Sequence, residues 1–251
     1  MQESINPTQG ETPSPSYNKA IITGAALVGG AALLAATPKV ARAVTPALTF
    51  ADIPGSGDVK VLNYALALEA LEANLYEQAL ARLIALNVSA NDPVRSYVAK
   101  FGIVEKQHRD FLIGAIKAAN NNTTILDGPL AGATFNFGGA LETAESILDF
   151  LITVEDTGTN AYLGAIPSFT PKSPYLPTAA AIQGTEARHT AALIVIRNRK
   201  YPAKVESPAP LFNENNGIDG IIREAPFKGA NPIPNTILAA VSPYIVLPTN
   251  N

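Results

Sequence analysis

Four long stretches of the chain repeat apolar residues every three or four positions, and each apolar stripe is interrupted by an acidic residue. From Asp58 to about Leu86 there is neither proline nor glycine, and Leu, Ala and Glu dominate, so the segment is predicted to be a helix. Its inward stripe runs Leu62, Leu66, Glu69, Ala73, Tyr76, Leu80, Leu83. A second helix is expected to open with Asn91 or Asp92 as N-cap and Pro93 in the first turn, and to run to the loop at Asn120–Thr124. Its stripe is Val94, Val98, Phe101, Glu105, His108, Leu112, Ala115. The third predicted helix, Gly138–Ile166, stops at Pro167 and lines up Leu141, Ala144, Leu148, Leu151, Glu155, Tyr162 and Ile166, with one position skipped at Gly158/Thr159. The fourth, Pro177–Lys200, stops before Pro202 and lines up Ala179, Ile182, Glu186, His189, Leu193 and Ile196. The tail from Tyr201 is rich in proline and asparagine and is expected to be irregular.

Four carboxylates and two imidazoles therefore face inward. A buried charge with no partner costs several kcal/mol or neutralises by a shift in pKa, and four carboxylates together also repel one another unless positive charge lies among them. The chain has no cysteine and only two histidines, and each histidine follows a glutamate by three places, at Glu105/His108 and Glu186/His189. That spacing puts both side chains on one helix face, one turn apart. One Glu from each of two helices, Glu69 and Glu155, plus Glu-x-x-His from each of the other two, is the ligand set of a di-iron or di-manganese carboxylate centre in a four-helix bundle. The alternative is a bundle whose buried polar residues only hydrogen-bond one another. Glu72 also lies near the apolar side of the first helix, as an alternative ligand to Glu69.

The chain repeats itself. Glu69 is followed by Tyr76 and Glu155 by Tyr162, seven residues on in each case, and each such helix is followed by a Glu-x-x-His helix. Two helix pairs related by a pseudo-twofold axis are expected, with the stretch Asn120 to about Gly139 crossing between them. Roughly 20 residues span on the order of 60 Å, ample to run the length of a helix. The fold class read from these patterns is all-α, a four-helix bundle over residues 58–200, preceded by a lead segment at 44–57 and followed by an extension at 201–251.

Composition narrows the function classes. A net charge of −3 with 16% charged residues supplies no basic field, so nucleic acid is excluded as a partner. Without cysteine, only nitrogen and oxygen are left as metal ligands. At the N-terminus, "AIITGAALVGGAALLAAT" (Ala20–Thr37) is followed by Ala41-Arg42-Ala43, the small-x-small pattern of a signal peptide cut after Ala43. Export to the periplasm, cell surface or exterior is expected, with a retained N-terminal anchor as the alternative and the only route to a membrane.

With these motifs in hand, the chain resembles the ferritin-like superfamily. "LNYALALEALEANLYEQAL", "EKQH", "TVEDTGTNAYLGA" and "EARH" are most similar to the ferritin-like domain family that includes plant desiccation-related proteins and exported bacterial relatives. The resemblance covers about Val59–Arg199. It implies a ferritin-like four-helix bundle with a long second-to-third crossover and a metal centre of two iron or manganese ions. In bacterioferritins the first-helix glutamate is likewise followed by tyrosine seven residues on, which favours Glu69 over Glu72.

Two readings of function follow. In the first, the metals are bridged by Glu105 and Glu186, with Glu69 and Glu155 terminal and His108 and His189 capping one metal each. The protein is then an oxidoreductase of ferroxidase or peroxidase type, taking Fe(II), O₂ or peroxide in stress protection, with Tyr76 and Tyr162 as candidate catalytic tyrosines. In the second, it is a non-enzymatic stress or surface-assembly protein that keeps the bundle with or without metal. The tail carries the apolar runs "GIDGIIREAPF" and "TILAAVSPYIVL", costly to leave in water. It is expected to pack along the bundle or against a second copy, with Ala239–Leu247 as the contact strip.

Overall fold

The computed structural model describes residues 48–119, 123–202 and 233–248. The signal-peptide expectation for 1–43, the start of the lead segment (44–47) and the run Gly217–Phe227 lie outside the described residues. The four predicted helices are present: α1 (Gly57–Ala85), α2 (Pro93–Ala118), α3 (Ala144–Ala165) and α4 (Leu176–Lys200). A short helix, α5 (Ile233–Val241), follows in the C-terminal segment. The helices pack as two hairpins, α1 on α2 and α3 on α4, joined by the crossover. Among the described residues no helix is long and apolar enough to cross a membrane.

Each helix boundary has a local cause. The carboxylate of Asp92 accepts the amide of Val94 at 2.9 Å with Pro93 beside it, which makes Asp92 the N-cap of α2. The third helix begins six residues later than its pattern suggested. Gly138 has φ 49°, and Gly138–Leu141 forms a separate 3-10 turn. The α-helix then starts after Thr143, whose hydroxyl accepts the Ser146 amide at 3.0 Å while Ser146 Oγ accepts the Thr143 amide at 3.0 Å. This reciprocal capping box outcompetes continuous helix because it satisfies amides that a through-running helix at Gly138 could not reach.

The two central helices are covered from outside. Every residue of α1 from Val61 to Ala73 is buried, which requires protein on all sides of the helix and not just one. The crossover supplies part of that cover, and polar residues on α1 hold it there. Asn63 Nδ2 donates to the carbonyls of Pro54 and Thr123, both at 3.2 Å, and its Oδ1 accepts the Ile125 amide at 2.7 Å. Further along, Gln78 Nε2 donates to Phe135 O at 2.9 Å and Arg82 Nε to Leu141 O at 3.0 Å. The C-terminal segment supplies the rest. Strand β1 (Thr134–Phe135) of the crossover pairs antiparallel with β2 (Ile245–Val246), with Thr134 opposite Val246 and Phe135 opposite Ile245.

The described part of the tail, residues 233–248, is not irregular: it holds α5, a 3-10 turn at Ser242–Tyr244 and β2. Leu238, Val241, Tyr244 and Ile245 are buried, because Tyr244 stacks against Phe137 of the crossover and packs on Phe150 of α3, with ring centroids 5.9 and 5.1 Å apart. Proline and asparagine content said nothing of this apolar contact, which only the facing aromatics create. By contrast α2 and α4 keep an exposed outer face that includes Ile103, Phe111 and Val195.

Tyr244→Ala removes an aromatic with no exposed surface and is expected to cost about 3 kcal/mol of unfolding free energy. Urea denaturation followed by circular dichroism measures it, and a loss below about 1 kcal/mol would show that the segment is not part of the core.

Candidate metal centre

The mid-helix glutamates meet at the centre of the bundle. Glu69, Glu105, Glu155 and Glu186 have no exposed surface, Glu72 is 2% exposed, and His189 is buried. His108 is half-buried. All six ligands expected from the sequence converge, in two overlapping groups. One comprises Glu69, Glu105, His108 and Glu186; the other comprises Glu105, Glu155 and His189, and within each group one ligand atom per residue lies within 4.8 Å of the others.

Glu105 belongs to both groups. Its Oε2 is 2.9 Å from His108 Nδ1 and its Oε1 is 2.7 Å from His189 Nδ1, so one carboxylate spans the two imidazoles. His108 Nδ1 also lies 3.3 Å from Glu186 Oε1 and 3.5 Å from Glu69 Oε2, and His189 Nδ1 lies 3.3 Å from Glu155 Oε1. One ring nitrogen cannot hydrogen-bond three carboxylates at once. Several ligand atoms accordingly make no hydrogen bond: Glu69 Oε2, Glu105 Oε1, Glu155 Oε2, both oxygens of Glu186, and His189 Nδ1. Atoms this close that face a common volume without bonding each other are what a set of lone pairs around a cation looks like.

The two tyrosines cross between the hairpins. Tyr162 of α3 donates to Glu69 Oε1 of α1 at 2.6 Å, and Tyr76 of α1 donates to Glu155 Oε1 of α3. Each of these two carboxylates is therefore oriented by the tyrosine of the opposite repeat. Phe101 stacks on the His189 ring at 3.8 Å between centroids and fixes its plane. The close approach of α2 to Tyr76 depends on Gly102, where a Cβ would fall 2.9 Å from Tyr76 Cβ.

Burial sets the charge states. It raises the pKa of Glu69 to about 7, with the Glu105 charge adding to the rise and His108 opposing it. Burial and then neighbouring carboxylates push Glu72, Glu155 and Glu186 well above the ordinary range. Burial acts against the charged form of His108, but the carboxylates of Glu105, Glu186 and Glu69, all close to its Nδ1, overcome it and lift its pKa to about 12. Glu105 alone is lowered: burial opposes its charge, and contacts with His108 and His189 more than compensate. Burial, followed by the charge of Glu155 for Tyr76 and of Glu69 for Tyr162, raises both phenols, so each is a hydrogen-bond donor.

The donor set fits a pair of divalent transition ions. It is all nitrogen and oxygen, it is anionic in excess, and its unbonded atoms point inward. The sequence profile of the family described as "Ferritin-like domain" matches residues 57–199. The chain belongs to the ferritin-like domain family. No curated protein and no solved structure matches it. The ferritin-like match begins and ends with the bundle, so the crossover is inside it and the C-terminal segment is outside.

Other polar residues on these helices have partners elsewhere. Arg109 pairs with Asp110 at 2.7 Å, Arg188 donates to Thr185 Oγ1 at 2.9 Å, and Asp149 accepts from the buried Arg197 Nε at 2.9 Å. Sequence reasoning placed Phe101 in an inward stripe and Gly158 at a skipped position without giving either a role, and it missed Gly102. An unexplained glycine within a helix costs about 1 kcal/mol relative to alanine, and that cost was the available signal.

A group whose folded pKa is raised stabilises the fold fully below its unfolded pKa, and this contribution is lost as pH rises through the folded value. Glu69 therefore stabilises the metal-free protein below about 4.5 and ceases to do so by about 7, while His108 keeps contributing through this window. Metal-free protein is expected to lose stability between pH 5 and 7.5, and protein with Mn(II) to lose less or gain, since metal competes with the protons. Urea midpoints at the two pH values, with chelator and with Mn(II), check this; a metal-free midpoint that rises with pH contradicts it.

Proposed function

We propose that the protein is an exported ferritin-like oxidoreductase of the branch that includes desiccation-related and exported bacterial proteins. It holds two iron or manganese ions and oxidises Fe(II) or reduces O₂ or peroxide in stress protection. The observation that carries this reading is the set of buried carboxylate and imidazole atoms left without hydrogen bonds at the bundle centre. Leaving that many polar atoms unsatisfied costs on the order of 1–3 kcal/mol each, and two cations remove the cost together with the repulsion among the carboxylates.

Glu105, whose oxygens lie within 2.9 Å of His108 and His189, would hold the ions together with Glu186, and Glu69 with His108 and Glu155 with His189 would supply the remaining ligands. When bound, two adjacent transition ions supply two one-electron steps, which a two-electron reduction of O₂ or peroxide needs. The chain's own residues orient and insulate. Tyr162 holds Glu69 and Tyr76 holds Glu155 by phenol hydrogen bonds. Both phenols remain protonated in their buried setting and are the groups next to the ligands that can deliver a proton or an electron. Phe101 and the apolar stripes of the four helices keep bulk water from the carboxylates, so charge interactions there are stronger than at the surface.

His108→Ala or His189→Ala is expected to lower bound metal from two ions towards one or none while the helical signal persists. Anaerobic Fe(II) loading followed by air should give the absorbance of oxidised iron in the wild type and a smaller, slower rise in each variant. Full metal retention in both variants, measured by elemental analysis, sinks the assignment. Glu105→Ala is expected to lose both ions, because its carboxylate reaches both histidines.

Export rests on the apolar segment Ala20–Thr37 and the Ala41-Arg42-Ala43 tripeptide. The protein isolated from its host is expected to begin near Val44 by N-terminal sequencing or intact mass. Residues 1–43 still attached would support the anchored alternative instead.

A further inference from the structure

The pseudo-twofold repeat of the centre breaks at one position. Glu69 corresponds to Glu155 and Tyr76 to Tyr162, but the residue three places after the glutamate is Glu72 on α1 and Gly158 on α3. The two departures belong together. A Cβ at Gly158 would fall 2.7 Å from Glu72 Oε1 and 3.0 Å from Glu186 Oε2. Any other residue on α3 would therefore drive the Glu72 carboxylate from where it sits. The missing side chain of one repeat is the room taken by the extra carboxylate of the other.

Glu72 has no evident structural reason to be there. It is 2% exposed and its Oε2 makes no hydrogen bond, so as a spacer it would cost more than an apolar residue of the same size. It adds a fifth carboxylate to a volume that already holds four. It approaches from the side of Glu186 Oε2, while Glu186 Oε1 faces His108 at 3.3 Å. Both oxygens of Glu186 lack hydrogen bonds, so the gap between Glu72 and Glu186 is lined by unpartnered acceptors.

We propose that Glu72 is a seventh metal ligand, present on one side only of an otherwise twofold site, and that it makes the two ion positions unequal. The proposal rests on the di-metal reading above and deepens it. Affinity for a hard cation rises with the number of anionic ligands, so the position that Glu72 shares with Glu186 holds its ion more tightly than the other. Gly158 is the positioning residue, since its lack of a Cβ admits Glu72 to the centre. A twofold ligand set would bind two like ions with similar intrinsic affinity. This one fills in order, and the second ion to arrive is also the first to leave.

The test is a titration of the metal-free full chain with Mn(II), following free Mn(II) by electron paramagnetic resonance. Wild type is expected to bind two ions with dissociation constants at least about ten-fold apart. Glu72→Gln, nearly isosteric, should still bind two, but the tighter step weakens by about ten-fold or more and the constants converge. Gly158→Ala keeps every ligand and fills the space of Glu72, so it should produce the same convergence. Alanine for glycine within a helix ordinarily stabilises it; a loss of affinity at undiminished helicity is therefore not general damage. Glu77→Gln, at an exposed position of α1, should leave both constants unchanged.

Titrations of Glu72→Gln and Gly158→Ala that superimpose on the wild type overturn the inference and leave the di-metal reading standing. A wild type that binds no Mn(II) overturns both. Loss of both ions in Glu72→Gln also overturns it, because a ligand to one position does not empty the other.

Discussion

Five buried carboxylates at the bundle centre, four of them in two overlapping groups that share Glu105, are the constraint on which the rest of this molecule depends. Like charges in a dry interior repel strongly, and each also forfeits its hydration. Without metal the protein answers in two ways, by carboxylates whose pKa values burial and mutual repulsion raise and by a His108 whose pKa three of them raise. Neither answer satisfies the oxygen atoms that remain without hydrogen bonds. Divalent cations would satisfy the same atoms and the same charge at once, and the carboxylate and histidine groups are compatible with such a site.

Such a centre works only if it is dry and its ligands are held from behind. The bundle meets the first condition by burying α1 on every side, under a crossover tied down by Asn63, Gln78 and Arg82 and under the C-terminal segment anchored by Tyr244. It meets the second with side chains that cross between repeats. Tyr76 and Tyr162 each orient the glutamate of the other hairpin, and Phe101 sets the plane of His189. The hairpins are thus linked through these buried carboxylates as well as through their apolar faces.

The outer layer also divides the molecule into unlike sides. The α1 and α3 side is covered, whereas α2 and α4 leave Ile103, Phe111 and Val195 exposed. This explains a difference already visible in composition. Segment Val61–Ala73 is apolar nearly all round, as a helix enclosed on all sides requires, while α2 alternates its apolar stripe with Lys, Arg, Gln and Asp.

Much of this was legible in the residues alone. A 3.6-residue period marks an inward face without knowledge of any partner, so the four helices, the inward glutamates and the Glu-x-x-His pairs follow from spacing, and two histidines in the whole chain leave little choice of nitrogen ligand. Helix starts were less secure, because Gly138 and the Thr143–Ser146 capping box compete locally in ways periodicity does not report. Contacts between elements distant in sequence were beyond reach: the pairing of β1 with β2, the crossing of each tyrosine to the other repeat, and the fit of Glu72 into the space at Gly158. Sequence determined which side chains point inward, since that depends on local helical geometry. Tertiary structure decided which of them meet, because that depends on how closely and at what register the helices approach, and at Gly158 that distance is set by a single absent Cβ.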